Sequence, residues 1–171
     1  ALLLVVAAAC LWALHRERWL VAGLLAAVGT ATRPNGVALV LACMVAAFLA
    51  IRTKREWKSL IAVVLAPIGF IGFMIFLRHH TGENLPWFRV QSEAWREGTS
   101  FGGAAVSNTV EFLLHPLSSP TNVLTAASLV AIGVLLWSAW RHRIPAPMLA
   151  YSLGILFLML LPETVTARPR F

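Results

Sequence analysis

The sequence contains no aspartate, and all seven acidic residues are glutamates. This absence excludes the Asp-x-Asp motifs with which many enzymes bind divalent cations. Charged residues make up 12% of the chain, about half the share of an ordinary soluble domain. The two cysteines, Cys10 and Cys43, lie inside apolar runs. We interpret them as small packing residues rather than as a disulfide or metal ligands, and we expect neither a metal site nor a cofactor.

Apolar residues are abundant instead. They make up 59% of the chain, with a mean hydropathy of +0.78, whereas soluble domains contain roughly 45–50%. We therefore expect an integral, multi-pass membrane protein. Its expected fold is all-α, a polytopic transmembrane helical bundle that forms a single transmembrane region. Because a bilayer core of about 30 Å takes about 20 helical residues, we divide the chain into six spans, at about 1–14, 19–32, 35–51, 59–77, 122–140 and 146–161. The abrupt start and end of the apolar pattern favour a fragment of a longer chain.

Short basic loops alternate along this pattern and predict its orientation. Lysines and arginines cluster at 16–18, 52–58 and 141–143, and the positive-inside rule places these loops in the cytoplasm. The other three junctions then face away from the cytoplasm, at 32–36, 78–121 and 162–171. The net charge of +7 is explained mostly by these membrane anchors, so we expect no nucleic-acid partner.

The extracytoplasmic loop at 78–121 is too long for a simple turn and predicts short amphipathic helices on the membrane surface. Trp87, Gln91 and Trp95 follow Pro86 at i, i+4 and i+8, so they share one helical face. They form either a platform for a sugar ring or part of the aromatic belt in which tryptophan is common anyway. A second short helix is expected at about 107–114.

The segment Thr32-Arg33-Pro34-Asn35-Gly36 places an arginine between two apolar spans. An ionised side chain there is a candidate functional residue. Arg33, with Asn35, suits a phosphate because a guanidinium offers several donors in a planar fork, while Pro34 and Gly36 fix and loosen the backbone beside it. The alternative is an arginine that snorkels to water from a tight turn, and spacing alone favours this alternative.

Two further polar clusters fall in the predicted outward segments. His79 and His80 precede Glu83, but adjacent histidines do not share a helical face and a third ligand at suitable spacing is missing, so no metal is predicted. Glu83 is kept as a candidate base against the ordinary alternative of a solvated carboxylate. Arg168 and Arg170 form either a second contact to an anion or a solvated interface loop.

Three of these features occur in one order along residues 30–171: Thr32-Arg33-Pro34-Asn35-Gly36 after an apolar helix, the segment 81–91 followed by Trp95, and Ala167-Arg168-Pro169-Arg170-Phe171. This order resembles the PIG-V-type mannosyltransferases, a family of the GT-C superfamily. That family includes the enzyme that adds the second mannose in glycosylphosphatidylinositol synthesis and related bacterial membrane proteins.

The resemblance implies a membrane glycosyltransferase that moves a sugar, mannose in the family, from a polyprenyl- or dolichyl-phosphate donor to a lipid or glycan acceptor on the extracytoplasmic face. It implies an inverting reaction whose catalytic acidic residue precedes this fragment. The implied donor phosphate and sugar contacts are Arg33, Asn35, Trp87, Gln91, Trp95, Arg168 and Arg170. Composition favours a bacterial plasma membrane over the endoplasmic reticulum. A membrane transporter or a non-catalytic membrane assembly subunit is the alternative.

Overall fold

The structure is a computed structural model that describes residues 2–82, 89, 103–115 and 120–160. Every regular element in these residues is helical, so the prediction of an all-α fold is confirmed for this part of the chain. Six predicted site residues lie outside the described residues: Glu83, Trp87, Gln91, Trp95, Arg168 and Arg170.

Eight α-helices and two short 3₁₀ turns follow one another in the described residues. The α-helices are α1 (Leu2–His15), α2 (Trp19–Thr32), α3 (Val37–Lys54), α4 (Leu60–Leu65), α5 (Ile68–Thr81), α6 (Gly103–Leu114), α7 (Pro120–Arg141) and α8 (Ala146–Leu160). The 3₁₀ turns, Pro34–Gly36 and Trp57–Ser59, lead directly into α3 and α4. Helix α6 covers the part of the long loop in which the sequence predicts a second short helix.

Among the described residues, two helical stretches are long and apolar enough to cross a membrane. They are Pro34–Lys54, which includes α3, and Trp57–Thr81, which includes α4 and α5. The second stretch is interrupted between α4 and α5, because Pro67 has no amide hydrogen to donate to the preceding turn. Helix α5 begins after Pro67 and ends at Thr81. Gly82 follows it with a φ of 73°, the left-handed conformation that glycine adopts without strain.

The chain divides into two compact units. The first contains residues 1–89 and 145–156, and the second contains residues 90–144 and 157–171. In the first unit, α2 packs against α1, α4 and α5, and α3 packs against α1, α2 and α4. In the second unit, α6 packs against α7.

Small side chains form the core of the first unit. The fully buried positions are mainly alanine and cysteine: Cys10, Ala13, Ala22, Ala26, Ala42, Cys43, Ala62 and Ala66. Larger apolar side chains point outward, since Leu4 is 72% exposed, Val64 66% and Phe48 61%. Because a small side chain lets two helix backbones approach closely, this core is built by helix-to-helix contact rather than by interlocking large side chains.

Candidate functional site

Arg33 occupies the turn between α2 and the 3₁₀ turn that opens α3. Its backbone is extended, with φ −153° and ψ 148°, so α2 stops at Thr32. Pro34 then begins the 3₁₀ turn at the position where a missing amide hydrogen costs nothing. The turn closes through the Gly36 amide, which donates to the Arg33 carbonyl at 2.9 Å. The sequence therefore bends sharply at Arg33 and holds its backbone in one place.

Gly36 serves close packing. Its φ of −59° is open to any residue, which differs from the expectation that it loosens the backbone. A Cβ atom here would overlap the carbonyl oxygen of Gly29 and would lie 2.7 Å from the Thr30 amide nitrogen. Glycine is required because the start of α3 lies directly against the last turn of α2.

A cleft of about 100 Å³ lies beside Arg33. Its polar wall is the end of α2 with Arg33 and Pro34, and its apolar wall is formed by Phe70 and Phe73 of α5. The two phenylalanines share a face because they are three residues apart on one helix. The sequence analysis missed both, since nothing distinguishes them from the other apolar residues around them.

Two contacts hold this apolar wall in position. The buried Thr30 hydroxyl lies 2.9 Å from the carbonyl oxygens of Ala27 and Ala66, and it donates to one of them at a time. Gly69, one residue before Phe70, lies so close to α2 that a Cβ atom would be 2.7 Å from Thr30 Oγ1 and would overlap the Ala27 carbonyl oxygen. The interruption at Pro67 is thus bonded to α2 at the level of the cleft.

The electrostatics of the cleft favour an anion. The Arg33 side chain is exposed. The ion pair found in the described part of the chain joins Lys54 to Glu17 and does not involve Arg33. The 3₁₀ turn that begins the Pro34–Lys54 stretch has no side-chain cap. Pro34 has no amide hydrogen, and the Gly36 and Val37 amides donate within the turn. The positive charge beside the cleft therefore comes from the Arg33 side chain.

The other predicted site residues divide into two groups. Asn35 is exposed within the 3₁₀ turn and does not line the cleft. His79 and His80 are exposed near the end of α5, where the His80 ring stacks on Phe76 at 5.6 Å between centroids. Over residues 2–82, 89, 103–115 and 120–160, no group of three or more His, Cys, Asp or Glu side chains is placed to hold a metal.

Comparison with protein-family models, with curated proteins and with solved structures finds no match to this chain.

Proposed function

We propose that this chain is part of a multi-pass membrane glycosyltransferase. In this proposal Arg33 binds the phosphate of a polyprenyl-phosphate sugar donor on the extracytoplasmic face, and the sugar, mannose by the resemblance, passes to a lipid or glycan acceptor. The observation that carries the proposal is the cleft in which Arg33 faces Phe70 and Phe73.

Placement in a membrane is supported by where large and small side chains lie. Burying large apolar side chains is the main stabilising contribution in water-soluble proteins. Here the buried core is mostly alanine and cysteine, while many leucine, isoleucine, valine and phenylalanine side chains are exposed. Lipid surrounds such side chains without cost, and small residues at helix contacts are typical of membrane bundles. Two stretches also have the length and hydropathy of a membrane span.

The chemistry of the cleft matches the two ends of such a donor. A polyprenyl phosphate joins an anionic phosphate to an apolar, unsaturated chain. Arg33 suits the phosphate because its guanidinium offers several donors, and Phe70 and Phe73 suit the first isoprene units. A cation here would also stabilise the negative charge that develops on the departing phosphate.

The depth of the cleft supports a ligand that arrives from lipid. Helix α5 continues from Phe73 to Thr81, about 12 Å beyond the cleft at the usual helical rise. This extension includes the exposed apolar side chains of Ile75 and Phe76. Arg33 would therefore lie recessed below the end of α5, where an ionised side chain is expensive unless it serves a ligand or reaches water.

Substitution of Arg33 tests the proposal. We expect Arg33→Ala to lower the rate of transfer by about 100-fold, the size of effect seen when one charge-stabilising group is removed from an active site. Arg33→Lys keeps the charge but loses the planar fork of the guanidinium, so its rate of transfer should lie between those of Arg33→Ala and the wild type. The measurement is transfer of sugar from a synthetic polyprenyl-phosphate donor in membranes that contain equal amounts of each variant of the full chain.

Arg52→Ala is the matched control, because Arg52 is an exposed arginine at the opposite end of α3. It should retain the wild-type rate. Wild-type transfer by Arg33→Ala would leave Arg33 as a snorkelling anchor and would remove the residue-level support for the proposal.

A transporter is the second candidate, favoured by the interruption of the Trp57–Thr81 stretch at Pro67. Interrupted helices line the substrate sites of many transporters. The two functions are separated by one comparison in sealed vesicles. Accumulation of substrate without transfer of sugar would support the transporter, and transfer that continues after the vesicles are made leaky would support the enzyme.

A further inference from the structure

A second, larger cleft lies at the other end of the same bundle. Its volume is about 200 Å³, and it lies between α1, α3 and the start of α8, all within the first unit. Helix α2 separates this end from Arg33 by about 20 Å. The two clefts are therefore distinct sites, and this one plays no part in the function proposed above.

The lining of this cleft changes from apolar to polar along its depth. The buried or half-buried part consists mainly of Leu11, Leu14, Ala46, Leu49, Ala50 and Met148. The exposed mouth contains His15, Glu17, Thr53 and Lys54. A ligand that fits this gradient has a polar head and an apolar tail.

Cations predominate at this end of the bundle. The turns at this end and the last residues of α3 carry six of them: Arg16, Arg18, Arg52, Lys54, Arg55 and Lys58. Of these, Lys54 lines the cleft. The same turns contain two carboxylates, and both are already engaged. Glu17 pairs with Lys54, and Glu56 accepts a hydrogen bond from Trp19 Nε1 at 2.9 Å. The excess positive charge therefore has no carboxylate within these turns to balance it.

Tryptophans mark this end as a boundary between lipid and water. Arg16 and Arg18 lie over the Trp12 ring, with guanidinium carbons 5.4 and 5.8 Å from its centroid. Trp57 is 66% exposed beside Lys58. Tryptophan is enriched where the head groups of a bilayer meet its hydrocarbon, and Lys and Arg are enriched on the cytoplasmic side.

We infer that this cleft is a binding site for an anionic phospholipid of the cytoplasmic leaflet. The phosphate lies at the mouth beside Lys54, Thr53 and His15, and the first methylenes of an acyl chain lie between Leu11 and Leu49. The volume is below the 300–1,000 Å³ of pockets that enclose whole small molecules, so the rest of the chain continues into the surrounding lipid. Basic pockets between helices on this side of a membrane suit such head groups.

The ion pair between Glu17 and Lys54 gives the inference a directional test. A lipid phosphate competes with Glu17 for Lys54. Glu17→Gln frees Lys54 and should tighten the binding of phosphatidylglycerol by about fivefold, and Lys54→Gln should weaken it by about fivefold, at roughly 1 kcal/mol per charge. If the pair only stabilised the fold, both substitutions would act in the same direction.

The measurement is native mass spectrometry of the full chain in detergent, titrated with phosphatidylglycerol and with phosphatidylcholine. The matched control is Lys58→Gln, which removes one charge from the same end but does not line the cleft. It should change affinity less than twofold, and phosphatidylcholine should bind weakly to every variant. Equal losses for Lys54→Gln and Lys58→Gln would show general attraction to an anionic surface and would overturn the inference.

Two further titrations separate a lipid from a water-soluble anion, and this cleft from the one beside Arg33. Glycerol phosphate, which lacks an acyl chain, should not displace bound phosphatidylglycerol, and displacement at similar concentrations would assign the cleft to a water-soluble anion instead. Arg33→Ala should bind phosphatidylglycerol like the wild type.

The inference rests on the proposed membrane placement but not on transfer of sugar, so lipid binding that persists without transferase activity would reject only the proposed function.

Discussion

Gly69 is the position at which one methyl group should disturb the candidate site most directly. In Gly69→Ala the new Cβ atom would lie 2.7 Å from Thr30 Oγ1 and from the Ala27 carbonyl carbon, and it would overlap the carbonyl oxygen. Ordinary contacts between such atoms are about 3.5 Å or longer. Because part of the obstacle is backbone, α5 must move away from α2 by roughly 1–2 Å.

The cost of that movement follows from what the contact holds. Overpacking in a well-packed site costs about 1–3 kcal/mol. Loss of the 2.9 Å hydrogen bond from Thr30 to Ala66 adds about 1 kcal/mol. The gain in helix propensity from glycine to alanine returns about 1 kcal/mol. The last two contributions cancel, so we expect a net destabilisation of about 1–3 kcal/mol.

Gly72→Ala is the matched control on the same helix. A Cβ atom at Gly72 meets nothing within 4 Å, so only the propensity gain of about 1 kcal/mol remains. In thermal scans of the full chain in detergent, Gly69→Ala should lower the apparent melting temperature by roughly 2–12 °C and Gly72→Ala should raise it slightly. Transfer activity should fall with Gly69→Ala, since Phe70 moves with α5. A Gly69→Ala variant that melts at or above Gly72→Ala would refute the packing of α5 against α2.

Three further predictions address the bundle. Thr30→Val should destabilise the full chain by about 1–3 kcal/mol, since it leaves the Ala66 carbonyl without the donor that Thr30 supplies. Thr30→Ser keeps this donor and should melt within about 1 °C of the wild type. Equal melting temperatures for the two variants would exclude the Thr30–Ala66 hydrogen bond as a stabilising contact. Cys10 of α1 and Cys43 of α3 are both fully buried in the core where these two helices pack. Oxidation with iodine should therefore yield an intramolecular disulfide, detected by mass spectrometry of the linked peptides. Peptides linked to other chains instead would contradict the packing of α1 on α3. The predicted orientation is tested with an impermeant maleimide added to intact cells. A cysteine introduced at Lys58 should not be labelled, and a cysteine introduced at Ser100 should be labelled. The reverse pattern would overturn the predicted orientation.

The sequence by itself determined the helical class of the described residues. Long apolar runs separated by Pro, Gly and basic residues favour helices of about the observed lengths, and this signal is local. It also singled out Arg33, because an arginine among apolar residues stands out without any knowledge of its neighbours. The positions of Trp87, Gln91 and Trp95 stay a prediction.

Only the tertiary structure decided which residues face Arg33. Helices that are apolar on every side carry no periodic signal that marks the packed face, so Phe70 and Phe73 were indistinguishable from other apolar residues until α5 was placed against α2. The same holds for the cleft beside Lys54, which exists because the ends of α1 and α3 and the start of α8 meet. Gly36 and Gly69 show the physical reason: each is required by a backbone approach between different helices, and such an approach is a property of the packed bundle rather than of any one segment.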